Sequence, residues 1–186
     1  MSWLKKRMVM RHYDRVAHLY DRQYREEQSL KIKSALRHIH LKGSDMILDA
    51  GCGTGILLDH IENSVGLIIG LDISSKILKE AAKRVRKRPD AYLIRADVDY
   101  MPFPNGMFDK VFAITLIQNT PSIEMSLNEI IRVSKPDAIF IITGLKKAFS
   151  LNKFLKILEM AKLKIQTLIS DERLHGYIAI CVRKDK

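Results

Sequence analysis

Apolar and polar residues alternate along this chain with two different periods. Short apolar runs, typical of buried parallel strands, are separated by stretches in which apolar residues recur every three or four positions, as on one face of a helix. Seven strands are predicted, at residues 46–49, 66–71, 92–96, 110–116, 138–143, 164–169 and 177–182. Strands that alternate with helices in this way indicate an α/β protein.

Helices are predicted between most of these strands. One or two amphipathic helices precede the first strand, within residues 14–40, and apolar residues from Ile56 to Ile61 mark another helix after it. Three later helices begin at serine residues suited to N-capping: Ser74 or Ser75, Ser122 and Ser150. Pro89 and Pro136 are predicted to end two of them, because proline cannot continue a helix.

The last two strands are joined by the polar residues 170–176, without a helix between them. Such a short link predicts an antiparallel pair. The predicted fold is therefore a three-layer αβα sandwich around a seven-stranded, mostly parallel sheet whose last strand is antiparallel, with additional N-terminal helices. A length of 186 residues fits a single domain.

Composition narrows the class of protein. Residues are 47% hydrophobic and 28% charged, a balance typical of a globular chain. No apolar run reaches the roughly 18 residues of a membrane-spanning helix, so no span is expected. Cys52 and Cys181 suggest neither a disulfide framework nor a zinc site, so we expect no metal and a cytoplasmic location.

The formal net charge of +11 is the second informative property. Positive residues fall into two clusters: Lys5, Lys6, Arg7, Arg11, Arg15, Arg22 and Arg25, and then Lys76, Lys79, Lys83, Arg84, Arg86, Lys87 and Arg88. Excess positive charge favours polyanions, which makes RNA a candidate partner. A lysine-rich surface without any nucleic acid is the alternative.

The richest motif is the segment at residues 47–55, in which Asp49 is followed by glycines at positions 51, 53 and 55. Glycines at alternate positions allow a sharp turn and a close approach to a ligand. The dinucleotide fingerprint G-x-G-x-x-G would need glycine at position 56, where this chain has Ile56. A glycine-rich turn without a ligand is the alternative interpretation.

This motif resembles motif I of the class I S-adenosylmethionine (SAM) methyltransferases. The segments 117–122 and 129–138 further resemble the UbiE-like, Methyltransferase-11 branch, with two departures. Gln118-Asn119 replaces a histidine pair, and Asp137-Ala138 replaces a glycine pair. The resemblance implies SAM as the cofactor and a Rossmann-like core over residues 43–186.

The resemblance also implies cofactor contacts at successive strand ends. Carbonyl groups from Asp49 to Gly51 would accept from the SAM ammonium, Asp72 would bind the ribose, and Asp97 would face the adenine. Helix capping is the alternative role for Asp72, and Asp99 is the alternative to Asp97 as the adenine contact. The complete predicted set is Asp49, Ala50, Gly51, Cys52, Gly53, Gly55, Asp72, Ile73, Ala96, Asp97, Val98, Thr115 and Tyr20.

Residues 13–21 resemble the N-terminal opening of many SAM enzymes, which implies a helical lid over residues 1–42 with Tyr20 closing the site. A helix packed by its tyrosines is the alternative.

Two residues are candidates for catalysis, Gln118 and Asn119. Asn119-Thr120-Pro121 partly matches the motif with which amino-methylating relatives hold a target nitrogen. A loop asparagine that caps its own turn is the alternative. Because SAM is an activated donor, positioning of the acceptor can supply most of the rate without a strong base.

We therefore expect a SAM-dependent methyltransferase, and the net charge makes RNA (tRNA or rRNA) the leading hypothesis for its acceptor. A small-molecule acceptor of the UbiE-like type, a protein acceptor and a non-catalytic SAM-binding subunit are the alternatives. The resemblance also suggests a small zinc-binding activator subunit as a partner, along an edge strand at residues 92–96.

Overall fold

The computed structural model describes residues 2–61 and 65–184. These residues form seven strands: Met46–Ala50 (β1), Leu67–Asp72 (β2), Ala91–Arg95 (β3), Phe108–Ala113 (β4), Ser134–Leu145 (β5), Leu163–Ile169 (β6) and Gly176–Arg183 (β7). The α-helices are Ser2–Val16 (α1), Tyr20–Leu36 (α2), Ser75–Val85 (α3), Ile123–Val133 (α4) and Leu151–Met160 (α5). The sheet order is β3-β2-β1-β4-β5-β7-β6.

Strand β7 pairs antiparallel with both β5 and β6, whereas the pairs among β1 to β5 are parallel. Helices α4 and α5 bury Leu127, Ile130 and Phe154 in a cluster on one face of the sheet. On the other face, α2 contributes Ile32 and Ala35 to a second cluster. The predicted α/β sandwich is confirmed.

Serine caps begin three helices as predicted, with Ser74, Ser122 and Ser150 each accepting a hydrogen bond from a backbone N–H of the first turn. The prediction for Pro136 was wrong. Helix α4 ends at Val133, where Ser134 is already extended. Pro136 lies inside β5, beside a shift in the pairing between β4 and β5, where a residue without an N–H is tolerated.

Two helix predictions also needed correction. The N-terminal helical region begins at Ser2 rather than near residue 14. After the glycine motif the structure has a short 3-10 helix, Ile56–Asp59, instead of an α-helix. Arg88 donates to the carbonyl oxygens of Leu58 and Ile61 at 3.0 and 2.6 Å. A side chain distant in sequence therefore binds carbonyls within and just after this short helix.

Gly144 on β5 leaves no space for a side chain. An added Cβ would lie 2.6 Å from Cδ2 of the fully buried Phe154. We expect Gly144→Ala to lower the free energy of unfolding by about 1–3 kcal/mol, as overpacking does. Urea denaturation measures this, and Phe154→Leu in the same background should recover part of the loss. An unchanged unfolding midpoint for Gly144→Ala would contradict this packing.

Candidate functional site

The glycine loop after β1 is tied to the end of β2. The N–H groups of Gly51 and Cys52 both donate to the Leu71 carbonyl, at 2.8 and 3.0 Å. Gly53 N–H donates to one carboxylate oxygen of Asp72 at 3.1 Å, and the other oxygen accepts from Ser74 N–H at 2.9 Å. The loop glycines at positions 51, 53 and 55 all have positive φ, so this path requires glycine.

A cavity of about 710 Å³, its open mouth included, lies beyond the carboxyl ends of the parallel strands. This is where an open α/β sheet binds its ligand. The structure brings together around it most of the residues predicted from the sequence, namely Tyr20, Gly51, Gly53, Asp72, Ile73, Ala96, Asp97, Val98, Thr115 and Asn119.

The other predicted residues lie off this cavity. Asp49 and Cys52 line a smaller neighbouring cavity that shares Tyr20, Gly51 and Gly53 with the first. Ala50 is fully buried in β1. An added Cβ on Gly55 would make only ordinary contacts, at 3.5 Å from the side chains of Ala81 and Leu58, so the φ of 78° is what requires glycine there.

Gln118 was predicted beside Asn119 as a catalytic residue, but it does not line the cavity. Both belong to the 3-10 helix Ile117–Asn119, with about three residues per turn, so their side chains point in different directions. The amide N and O atoms of Gln118 are buried and have no hydrogen-bond partner among the described residues.

Asp49 and Asp72 give the site an unusual charge balance. Burial, followed by the nearby charge of Asp72, raises the pKa of Asp49 to about 7. Burial also raises the pKa of Asp72, despite its backbone hydrogen bonds. No cationic side chain in residues 2–61 and 65–184 forms an ion pair with either carboxylate. A ligand that carries positive charge, as SAM does on its ammonium and sulfonium groups, fits this balance.

Lys6 is a site residue that the sequence prediction missed. It projects from α1 and contacts one oxygen each of Asp97 and Asp99, both at 2.6 Å. Burial opposes the charge of Lys6, but these carboxylates outweigh it and raise the pKa of Lys6. The carboxylate predicted to face adenine is therefore paired with the N-terminal helix, and its other oxygen accepts from Asp99 N–H at 3.0 Å.

Asn119 is held by two hydrogen bonds. Its amide nitrogen donates to the Thr115 carbonyl at 2.8 Å and to the Tyr13 hydroxyl at 2.9 Å. A carbonyl can only accept, so the orientation of the amide is fixed. Burial raises the pKa of Tyr13 to about 12, which keeps this hydroxyl protonated. The Asn119 Oδ1 atom has no hydrogen-bond partner in the described part of the chain. It can accept a hydrogen bond from a ligand in the cavity.

Lys31 contacts Thr115, one of the residues that line the cavity. Its side chain is fully buried, and its Nζ lies 3.1 Å from both Glu27 Oε1 and Thr115 Oγ1. Thr115 in turn donates to Gln28 Oε1 at 3.0 Å. Thr115 has a φ of 59°, which is strained for a β-branched residue, and this network helps to hold it. No periodicity or motif marks Lys31 in the sequence.

Three cations of the second basic cluster form ion pairs among the described residues. Arg84 pairs with Asp21 and Asp59, at 2.6 and 3.0 Å. Arg88 pairs with Asp90 at 2.7 Å, and Lys83 pairs with Glu80. Arg84 therefore holds α3 against α2 and the 3-10 helix Ile56–Asp59, while Lys76, Lys79, Arg86 and Lys87 are exposed and form no ion pair among the described residues.

Across residues 2–61 and 65–184, no helix has the length and apolar character needed to cross a membrane. The same residues contain no group of three or more His, Cys, Asp or Glu side chains arranged to hold a metal ion.

The sequence matches the family model described as methyltransferase domain over residues 48–142. A demethylmenaquinone methyltransferase of Symbiobacterium thermophilum is 33% identical over 156 residues, which cover 78% of this chain and 62% of that protein. The first curated relatives are longer proteins, and the chain spans 49% to 62% of their length.

Two solved structures share the fold. The 1,6-didemethyltoxoflavin N1-methyltransferase of Burkholderia thailandensis has a TM-score of 0.85 and 14% identity, with 100% of this chain and 91% of that chain covered. A Haloferax volcanii methyltransferase, in complex with the Trm112 activator, has a TM-score of 0.81 and 17% identity, with 93% and 98% covered.

The raised pKa of Asp49 predicts a pH dependence of stability. Between the ordinary pKa of 3.8 and about 7, the folded protein keeps a proton that the unfolded chain releases. Stability contributed by this group therefore falls as pH rises through that window, by at most about 1.4 kcal/mol per pH unit. Asp49→Asn should be more stable than the parent at pH 8, with the difference disappearing towards pH 4.

Urea denaturation at several pH values measures this difference directly. Asp171→Asn is the matched control, because Asp171 is only half-buried and Arg173 lowers its pKa to about 2. That variant should leave the slope between pH 5 and 7 unchanged. Parallel stability curves for Asp49→Asn and the parent would exclude a protonated Asp49.

Proposed function

The chain belongs to the class I SAM-dependent methyltransferases, and from that membership we propose that it methylates a small cyclic molecule, of quinone or heteroaromatic type. SAM is the cofactor of this family. When bound, SAM supplies an electrophilic methyl group that needs no further activation. The residues of this chain then have to bind the donor, exclude water and hold the acceptor in line.

The position of the N-terminal helices supports a small acceptor. The N-terminal helices close over the cavity, with Lys6, Val9 and Tyr13 of α1 and Tyr20 of α2 among its lining residues. A polymer such as RNA would have to displace these helices to reach the cavity, whereas a small molecule fits beneath them. Residues 1–42 therefore act as the lid of a site whose core is residues 43–186.

The compared proteins also favour a small-molecule acceptor. The 33% identical relative is a demethylmenaquinone methyltransferase, and the Burkholderia thailandensis enzyme binds 1,6-didemethyltoxoflavin. An RNA acceptor has less support, because none of the compared proteins described above acts on RNA by name.

Each candidate residue has a proposed role. Asp72 binds the ribose hydroxyls, and Asp49 compensates the positive charge of the methionine portion through its buried carboxylate. Asp97 takes the adenine amino group once Lys6 yields one of its contacts. Asn119 Oδ1 accepts from an N–H or O–H of the acceptor, while Tyr13 fixes the asparagine. No strong base is required, since positioning supplies the rate.

An activator subunit is a second element of the proposal. Strand β3 is at the edge of the sheet, and its Tyr92 is 56% exposed. The Haloferax volcanii neighbour was solved with the Trm112 activator. Purification of this chain from its native cells would show a small subunit in constant ratio, and Tyr92→Asp should weaken that association.

Methyl transfer from labelled SAM tests the choice of acceptor. The purified protein is incubated with a naphthoquinol and heteroaromatic panel and, separately, with total tRNA. We expect label in the organic-extractable small molecules. Label in acid-precipitated RNA would support RNA as the acceptor instead, and SAM binding without transfer to any acceptor would support a non-catalytic subunit.

Asn119→Ala should lower kcat/KM for the acceptor found in that panel by roughly tenfold, the effect of losing one positioning hydrogen bond. SAM affinity should stay within about twofold, because Asn119 is assigned to the acceptor. Gln118→Ala is the matched control and should retain the parental kcat/KM, since Gln118 lies off the cavity. Equal losses in both variants would remove Asn119 from its proposed role.

A further inference from the structure

Helix α1 has two functional faces. Its inner face carries Lys6, Val9 and Tyr13 on the cavity. On the opposite side, Leu4 is 65% and Met8 is 64% exposed, and Trp3 near the start of the helix is 59% exposed. Large apolar side chains exposed together on one helix indicate a surface that contacts something other than water.

Cations surround these apolar side chains. Lys5, Arg7, Arg11 and Arg15 are all exposed, and none forms an ion pair among the described residues. Leu4, Met8, Arg11 and Arg15 follow each other at intervals of four, three and four residues, which places them on one side of the helix. We call the set Trp3, Leu4, Lys5, Arg7, Met8, Arg11 and Arg15 the outer face of α1.

Acidic residues do not balance this charge. The single acidic residue of α1, Asp14, is turned inward, where it accepts hydrogen bonds from the Ser74 hydroxyl and the Lys76 N–H. The second basic cluster differs in another way: Lys76, Lys79, Arg86 and Lys87 are also exposed without an ion pair among the described residues, but no exposed large apolar side chain lies within residues 75–88. The outer face of α1 therefore remains available to an anionic partner.

An anionic lipid bilayer matches both properties of this surface. Lysine and arginine are attracted to acidic headgroups, while tryptophan and aliphatic side chains insert at the boundary between headgroups and acyl chains. Nucleic acid would bind the cations but leave Trp3, Leu4 and Met8 in water. We propose that the outer face of α1 docks the protein on an anionic membrane surface.

Docking in this way would place the lid of the cavity at the lipid interface. The same helix would contact lipid with one face and the bound acceptor with the other, so an acceptor that partitions into lipid could enter beside α1. The docking rests on α1 itself and does not depend on the proposed acceptor, so its test needs no substrate.

Trp3 is the single tryptophan of the chain and reports on its own surroundings. The full-length protein is titrated with vesicles of phosphatidylcholine alone, and with vesicles of equal parts phosphatidylcholine and phosphatidylglycerol. We expect a blue shift of Trp3 emission and co-sedimentation with the anionic vesicles only, both reduced by salt. Absence of binding to the anionic vesicles at low salt would overturn the proposal.

The variant Met8→Glu/Arg11→Glu should weaken vesicle binding by about tenfold or more, since one cation alone contributes about fivefold. Its matched control is Lys156→Glu/Met160→Glu on α5, where Met160 is 72% exposed, and it should bind as the parent does. Circular dichroism and SAM binding, unchanged in both variants, show that each remains folded. Equal weakening by both variants would overturn a specific docking face.

A second variant distinguishes lipid binding from binding to nucleic acid or to a second copy of the chain. Leu4→Ser/Met8→Ser keeps every cation, so it should weaken vesicle binding and leave any binding to tRNA unchanged. Vesicle binding that survives this change would show simple charge attraction and overturn the insertion of apolar residues. A dimer in lipid-free solution that this variant dissociates would assign the face to a second copy of the chain instead.

Discussion

Two buried carboxylates without a cationic partner determine how this site is built. Asp49 and Asp72 lie at the ends of adjacent parallel strands, and burial raises the pKa of each. The glycine loop wraps the same strand ends and donates Gly53 N–H to Asp72. No ion pair within the described residues neutralises these carboxylates. A positively charged donor such as SAM would therefore gain affinity there and lower the free-energy cost of burying them.

The N-terminal helices add a cation, Lys6, and a hydroxyl group, that of Tyr13, to the site. Lys6 neutralises Asp97 and Asp99, and Tyr13 orients Asn119, the residue proposed to bind the acceptor. In the proposed function the N-terminal helices thus contact both the donor and the acceptor, although they lie outside the sheet. Removal of water from the reacting groups and orientation of the acceptor depend on this same closure.

Sequence patterns predicted the features that local spacing encodes. The strands follow from apolar periodicity, whereas the glycine loop and Asp72 follow from motif resemblance at the strand ends, which share one edge of the sheet. The contacts of Lys6 with Asp97 and of Lys31 with Thr115 span 91 and 84 positions, so no local pattern reveals them. Two features depend on local geometry that spacing does not show: the 3-10 turn that turns Gln118 away from the cavity, and the short 3-10 helix after the glycine loop, near which Arg88 binds two carbonyls.

Cofactor binding is expected to compensate the buried charge of Asp49. An NMR titration of the aspartate carboxyl carbons, with and without SAM, measures this effect. We expect Asp49 to titrate at about 7 in the free protein and well below that value in the SAM complex. An Asp49 that titrates at its ordinary pKa in the free protein, or whose pKa is unchanged by SAM, would contradict it.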